Sequence, residues 1–134
     1  MSTCGLYTLT LGDATVTIVF TPGHTPGSIA ILLPVKDHGK QYTALMLSGA
    51  LATPDRQSLA ALEHALDVAK KQKAVALLNG HPGVFGDTLA WMETRRKKPY
   101  APNPFVYEEA RFARYINIID ECAKARVITI EYKE

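Results

Sequence analysis

Cysteine is scarce. Cys4 and Cys122 are the only two in 134 residues, and they stand far apart, outside any metal-ligand spacing. That excludes a miniature fold built on disulfides and a thiolate zinc cluster. The expectation is two reduced thiols in a cytoplasmic protein, with one long-range disulfide as the alternative. An excess of one charge is also lacking: 15 basic against 13 acidic residues leave a net charge of +2. Nothing therefore points to nucleic acid or another polyanion. The one basic run, Arg95 to Lys98, reads as a solvated helix end. No apolar stretch approaches the ~20 residues that cross a bilayer, so no membrane partner is expected. No apolar signal core follows Met1.

Several catalytic signatures are missing too. There is no Gly-x-Ser-x-Gly elbow, no phosphate loop ending in Gly-Lys-Ser/Thr and no dinucleotide fingerprint. Neither cysteine stands beside a histidine, which leaves thiol chemistry without a base.

What is present is a hydrophobic share of 47%, enough for a single domain over residues 1–134 with one core. Leu6 to Leu11 and Ala14 to Phe20 alternate as strands, and Gly12-Asp13 between them reads as a hairpin turn. Residues 28 to 34 read as a third strand and Tyr42 to Leu47 as a fourth, with the polar turn Lys36 to Lys40 and a solvent-facing His38 between them. Thr53 as cap and Pro54 as first residue would start a helix. Leu59, Leu62, Leu66 and Ala69 give that helix an apolar stripe, with His64 off it and exposed. Ala74 to Leu78 is a short fifth strand, which a crossover would place beside the fourth. A shorter helix follows over 86–96, with Asp87 near its start and Leu89, Trp91 and Met92 as its apolar contacts. A last helix runs from Asn103-Pro104 to about Lys124 on Phe105, Phe112, Ile116, Ile119 and Ala123. Val127 to Tyr132 then alternates as a terminal strand.

Two histidines stand out by setting. His24 is bracketed by two Pro-Gly pairs in Thr21-Pro22-Gly23-His24-Thr25-Pro26-Gly27-Ser28, between two strands. His81 follows the fifth strand at once, in Asn79-Gly80-His81-Pro82-Gly83. Each reads either as a turn residue or as a zinc ligand, and their matched settings favour treating them as a pair. Ser48, at the end of the fourth strand, is a hydrogen-bonding neighbour or a plain turn serine.

These segments resemble the second half of the metallo-β-lactamase fold. The look is closest to the subclass B3 enzymes, through Leu9-Thr10-Leu11-Gly12, the motif around His24, Ser48-Gly49 and Leu77-Leu78-Asn79-Gly80-His81-Pro82. The resemblance implies an α/β fold: half of an αββα sandwich, one mixed sheet with helices packed on one face. It implies zinc as cofactor, activating a hydroxide against a β-lactam or related amide or ester. His24 would ligate the first zinc, His81 the second, and Ser48 would hydrogen-bond nearby. Full-length relatives are often secreted or periplasmic.

The family's His-x-His-x-Asp-His motif, which supplies most of the other ligands, does not occur in this sequence. The chain alone should therefore be inactive. Half a sandwich also leaves one sheet face uncovered, so the expected partner is a second copy, in a homodimer, or a complementary N-terminal half. The other reading is a non-catalytic structural or interaction module derived from the same fold.

Overall fold

A computed structural model describes residues 5–48, 54–81, 83 and 86–132. Its elements, in chain order, are β1 (Leu6–Leu11), β2 (Ala14–Phe20), β3 (Ile29–Asp37), β4 (Lys40–Leu47), α1 (Arg56–Lys71), β5 (Ala74–Asn79), α2 (Thr88–Lys97) and α3 (Glu109–Glu131). The five strands form one sheet in the order of the chain. The first three pairings are antiparallel and the last, β4 with β5, is parallel. The sheet is thus mixed, as the resemblance implied, and α1 makes the connection that the parallel pair needs.

Turn chemistry sets the two hairpins. Gly12 takes φ +62° at the first of two turn residues, and Leu11 pairs with Ala14 directly across the turn. Between β3 and β4 the two turn residues are His38 and Gly39, both at positive φ, 48° and 80°. That is the backbone a two-residue type I′ turn demands.

The pleat then sorts the side chains by row. Thr17, Leu32, Leu45 and Leu77 pair across four strands, and all four are buried. They face α1 and α3, whose Leu62, Ala65, Leu66, Phe112 and Ile116 complete the same core. The neighbouring row, Tyr7, Ile18, Ile31, Met46 and Leu78, runs across all five strands on the other face. It is only half-buried, and Tyr7 is 67% exposed. One apolar face has helices on it, and the other lies largely open.

α1 begins at Arg56, two residues after the expected Pro54. Asp55 is its cap, its carboxylate accepting from the Ser58 amide at 2.8 Å and the Ser58 hydroxyl at 3.2 Å. Thr53 lies outside the described residues. His64 is half-buried, not exposed, and its Nε2 is buried without a hydrogen-bond partner among the described residues. The buried face of α1 is wide, taking in Ala61, Leu62, Ala65 and Val68, and its edge reaches position 64. At the far end, Gln72 donates to the buried Thr17 hydroxyl at 2.9 Å and ties the helix to β2.

The C-terminal region departs most from the sequence reading. α3 starts at Glu109, with Glu108 accepting from the amides of Ala110 and Arg111. Asn103 instead closes a small turn by accepting from the Phe105 amide at 3.0 Å. The helix does not stop near Lys124; it continues to Glu131, and the expected terminal strand is absent. Its stripe extends by one more step of four, from Ala123 to the buried Val127. Arg56 then holds the helix end through a two-pronged ion pair with Glu131, at 2.6 and 2.5 Å.

α2 buries none of its residues. Leu89 and Met92 are exposed, contrary to expectation, and Trp91 alone packs, edge-on to Phe105 at 5.7 Å. Cys122 is a free, exposed thiol. No helix among the described residues is long and apolar enough to cross a membrane.

Candidate metal centre

Strand direction decides what the sheet brings together. β2 and β4 are both antiparallel to β3, and β5 is parallel to β4, so β2, β4 and β5 all run the same way. Their C-terminal ends therefore share one edge of the sheet. That edge carries the loop with His24 after β2, Ser48 after β4, and the loop with His81 after β5. His38, on the β3–β4 turn, lies at the opposite edge, and His64 is inside α1. Of the four histidines, only the two that the sequence singled out sit at the same end.

Each loop is fixed by its own polar side chains. In the first, the Thr21 amide donates to the Ser28 carbonyl at 2.9 Å and so closes the base. Ser28 Oγ accepts from the Thr25 amide at 3.1 Å and lies 3.0 Å from the Thr25 hydroxyl. The prolines on either side limit the rest, and His24 is left exposed at the apex. In the second, the Asn79 side chain accepts from the His81 amide at 2.9 Å, an Asx turn that starts the loop as the strand ends. Gly83 donates to the Thr88 hydroxyl at 3.2 Å, and Asp87 caps α2 through the Ala90 amide at 3.1 Å. His81 too is exposed.

Ser48 touches the second loop. A Cβ on Gly80 would stand 3.5 Å from Ser48 Oγ, so the hydroxyl lies against the backbone just before His81. β2 and β5 are three strand spacings apart, about 14 Å at ~4.8 Å each. Any convergence of the two imidazoles comes from the loops leaning inward, not from the strands.

Neither a family model nor a curated protein matches the sequence. Solved structures do. BJP-1, a subclass B3 metallo-β-lactamase of Bradyrhizobium japonicum, is 25% identical with a TM-score of 0.59, over 92% of this chain and 48% of its own. FEZ-1, a metallo-β-lactamase from Legionella gormanii, is 23% identical with a TM-score of 0.65, over 93% and 50%. MEM-A1, a subclass B3 metallo-β-lactamase from a soil metagenome library, is 16% identical with a TM-score of 0.64, over 96% and 51%. The chain has the fold of half a metallo-β-lactamase. It spans about half the length of the solved structures it matches.

A half-lactamase fold explains the open face and the sparse edge together. Zinc in a stable protein site takes three or four protein donors. Among the described residues no group of three or more His, Cys, Asp or Glu side chains could hold a metal ion. The donor set that the metallo-β-lactamase fold implies is therefore incomplete in the described residues, and they do not by themselves fit a zinc centre. Among the described residues the edge carries two side chains of a type that zinc takes, His24 and His81.

Proposed function

We propose that this chain is one half of a metallo-β-lactamase-like zinc hydrolase, acting on a β-lactam or a related amide or ester. On this reading His24 is one donor to the first zinc and His81 one donor to the second, with Ser48 hydrogen-bonding beside them. The remaining donors come from a complementary half of the fold. The observation that carries the reading is the shared sheet edge: three strands of common direction deliver both histidines and Ser48 to the same end.

The uncovered row of Tyr7, Ile18, Ile31, Met46 and Leu78 supports the need for a complement. Sheets in a sandwich pack ~10 Å apart and bury such rows against each other. Where no complementary half is present, a second copy of the chain covers this face, in a homodimer. The matching solved structures named above are lactamases, and the shaped loops at the edge favour this reading over a module without chemistry.

The test is hydrolysis of a chromogenic β-lactam by the chain alone and after mixing with a polypeptide carrying the His-x-His-x-Asp-His half. Activity only in the mixture is the expected result. Turnover by the chain alone would refute the half-site, and an inactive mixture that has nevertheless assembled would refute the hydrolase.

A further inference from the structure

α3 has a second face besides its core stripe. Arg111, Arg114, Tyr115 and Ile118 follow at steps of 3, 4 and 7 from the first, so they line one side of the helix. Across from them stand Tyr107, from the segment leading into α3, and Trp91 of α2. The six side chains line an open cavity of about 530 Å³, a volume within the range of small-molecule sites. Tyr107 donates its amide to the Val75 carbonyl at 2.8 Å, near the start of β5. This end of the strand is opposite to the one that His81 follows.

The aromatic walls are held in place. The Tyr107 ring lies 5.5 Å from that of Tyr115 and 5.9 Å from that of the buried Phe112. Trp91 packs edge-on to Phe105, and its ring fills the space beside Gly86, where a Cβ would come within 2.6 Å of it. Burial pushes the hydroxyl pKa of both Tyr107 and Tyr115 up, so both stay neutral donors over the physiological range.

The cations are the unusual part. The Arg111 guanidinium lies 5.5 Å over the Tyr107 ring. Neither Arg111 nor Arg114 forms an ion pair among the described residues, and no carboxylate lines the cavity. Glu108 spends its carboxylate on the helix amides, and Glu109, the nearest acid in sequence to Arg111, borders a different pocket. Two guanidiniums without an ion pair among the described residues, beside a fixed aromatic wall, have a clear chemical complement. Guanidinium binds carboxylate in a planar fork, and aromatic rings stack on flat apolar bodies.

We propose that this cavity binds a small planar organic anion, an aromatic body bearing a carboxylate, with Arg111 and Arg114 on the carboxylate and Trp91, Tyr107 and Tyr115 on the ring. The site is separate from the His24–His81 edge and stands whether or not the chain is half of a hydrolase. Trp91 is the sole tryptophan, so its indole N–H gives one isolated NMR signal that reports on this cavity alone. With 2-naphthoate as probe, that signal shifts saturably. 2-Naphthamide, which keeps the ring and loses the charge, binds at least tenfold more weakly. So does 2-naphthoate to the Arg111→Gln, Arg114→Gln double variant, while Arg96→Gln, an exposed cation on α2, leaves affinity unchanged. A double variant with an unaltered melting temperature shows that the loss is local. No indole shift at millimolar 2-naphthoate would overturn the proposal. Equal binding of acid and amide, or equal loss in Arg96→Gln, would overturn it as well, by reducing the cavity to a nonspecific apolar or cationic surface.

Discussion

Ser48 Oγ stands 3.5 Å from where a Cβ on Gly80 would be. The end of β4 and the loop after β5 thus meet with room for one methyl group and little more. Gly86, five residues past His81, has no such room: its φ is +116°, and a Cβ there would enter the Trp91 ring. Gly80→Ala should leave stability within ~0.5 kcal/mol of the native chain. Gly86→Ala combines a strained backbone with a clash and should cost about 1–3 kcal/mol or more. Thermal unfolding of the two variants checks the difference.

Arg95 holds α2 without the help of a buried face. Its guanidinium bonds to the Asp37 carboxylate and to the Ala101 carbonyl at 2.7 Å, and it lies 2.8 Å from His38 Nε2. Since α2 buries no residue, Arg95→Ala should speed amide hydrogen exchange throughout Thr88–Lys97. Exchange in α1, held by the core, should stay as it is. Equal acceleration in both helices would mean that α2 is coupled to the core by contacts other than this one.

Glu131 makes the end of α3 sensitive to acid. Its hydrogen bond with Arg56, and then the Arg56 charge, hold its pKa below the usual 4.5. A depressed carboxylate contributes stability that is fully present above its unfolded-state pKa. That contribution is lost as pH falls through the lower folded value. The native chain should therefore melt above Glu131→Gln at pH 7, and the gap should close as pH drops below about 4.5. Both groups are exposed, so the gap is small and shrinks further with added salt.

Ile31 sits at the centre of the open row, paired with Ile18 on one side and Met46 on the other. Light scattering should give more than one chain per particle for the native protein. Ile31→Glu should return it to a single chain with its far-ultraviolet circular dichroism unchanged, because the side chain is on the face away from α1 and α3. A native chain that stays single at high concentration would remove the homodimer from the account.

Much of this architecture was legible in the chain. The alternation in β1 and β2, the Gly12-Asp13 turn and the α1 stripe each use local signals that the tertiary structure leaves intact. The two histidine loops were legible for the same reason, since proline, glycine and Asn79 impose their turns locally. The end of α3 was not. Val127 to Ile130 are all β-branched, and Val127, Thr129 and Glu131 alternate with Ile128, Ile130 and Tyr132, which suits a strand. The stripe from Phe112 through Ala123 also predicts an apolar residue at 127, and packing against the core decided between the two patterns. Asn103-Pro104 looked like a helix start, but Asn103 uses its side chain on a turn and Glu108 takes the capping role. The line of Arg111, Arg114 and Tyr115 on α3 carries no local signal of a site, because only the fold shows that Trp91 and Tyr107 stand across from it.

Elemental zinc content of the assembled pair, native chain plus the His-x-His-x-Asp-His half, measures the central claim most directly. Stoichiometric zinc is expected in the pair, clearly less when either His24→Ala or His81→Ala is used, and no change with His38→Ala. Undiminished zinc in a His24→Ala, His81→Ala double variant would contradict it, because the shared sheet edge would then have no part in holding the metal.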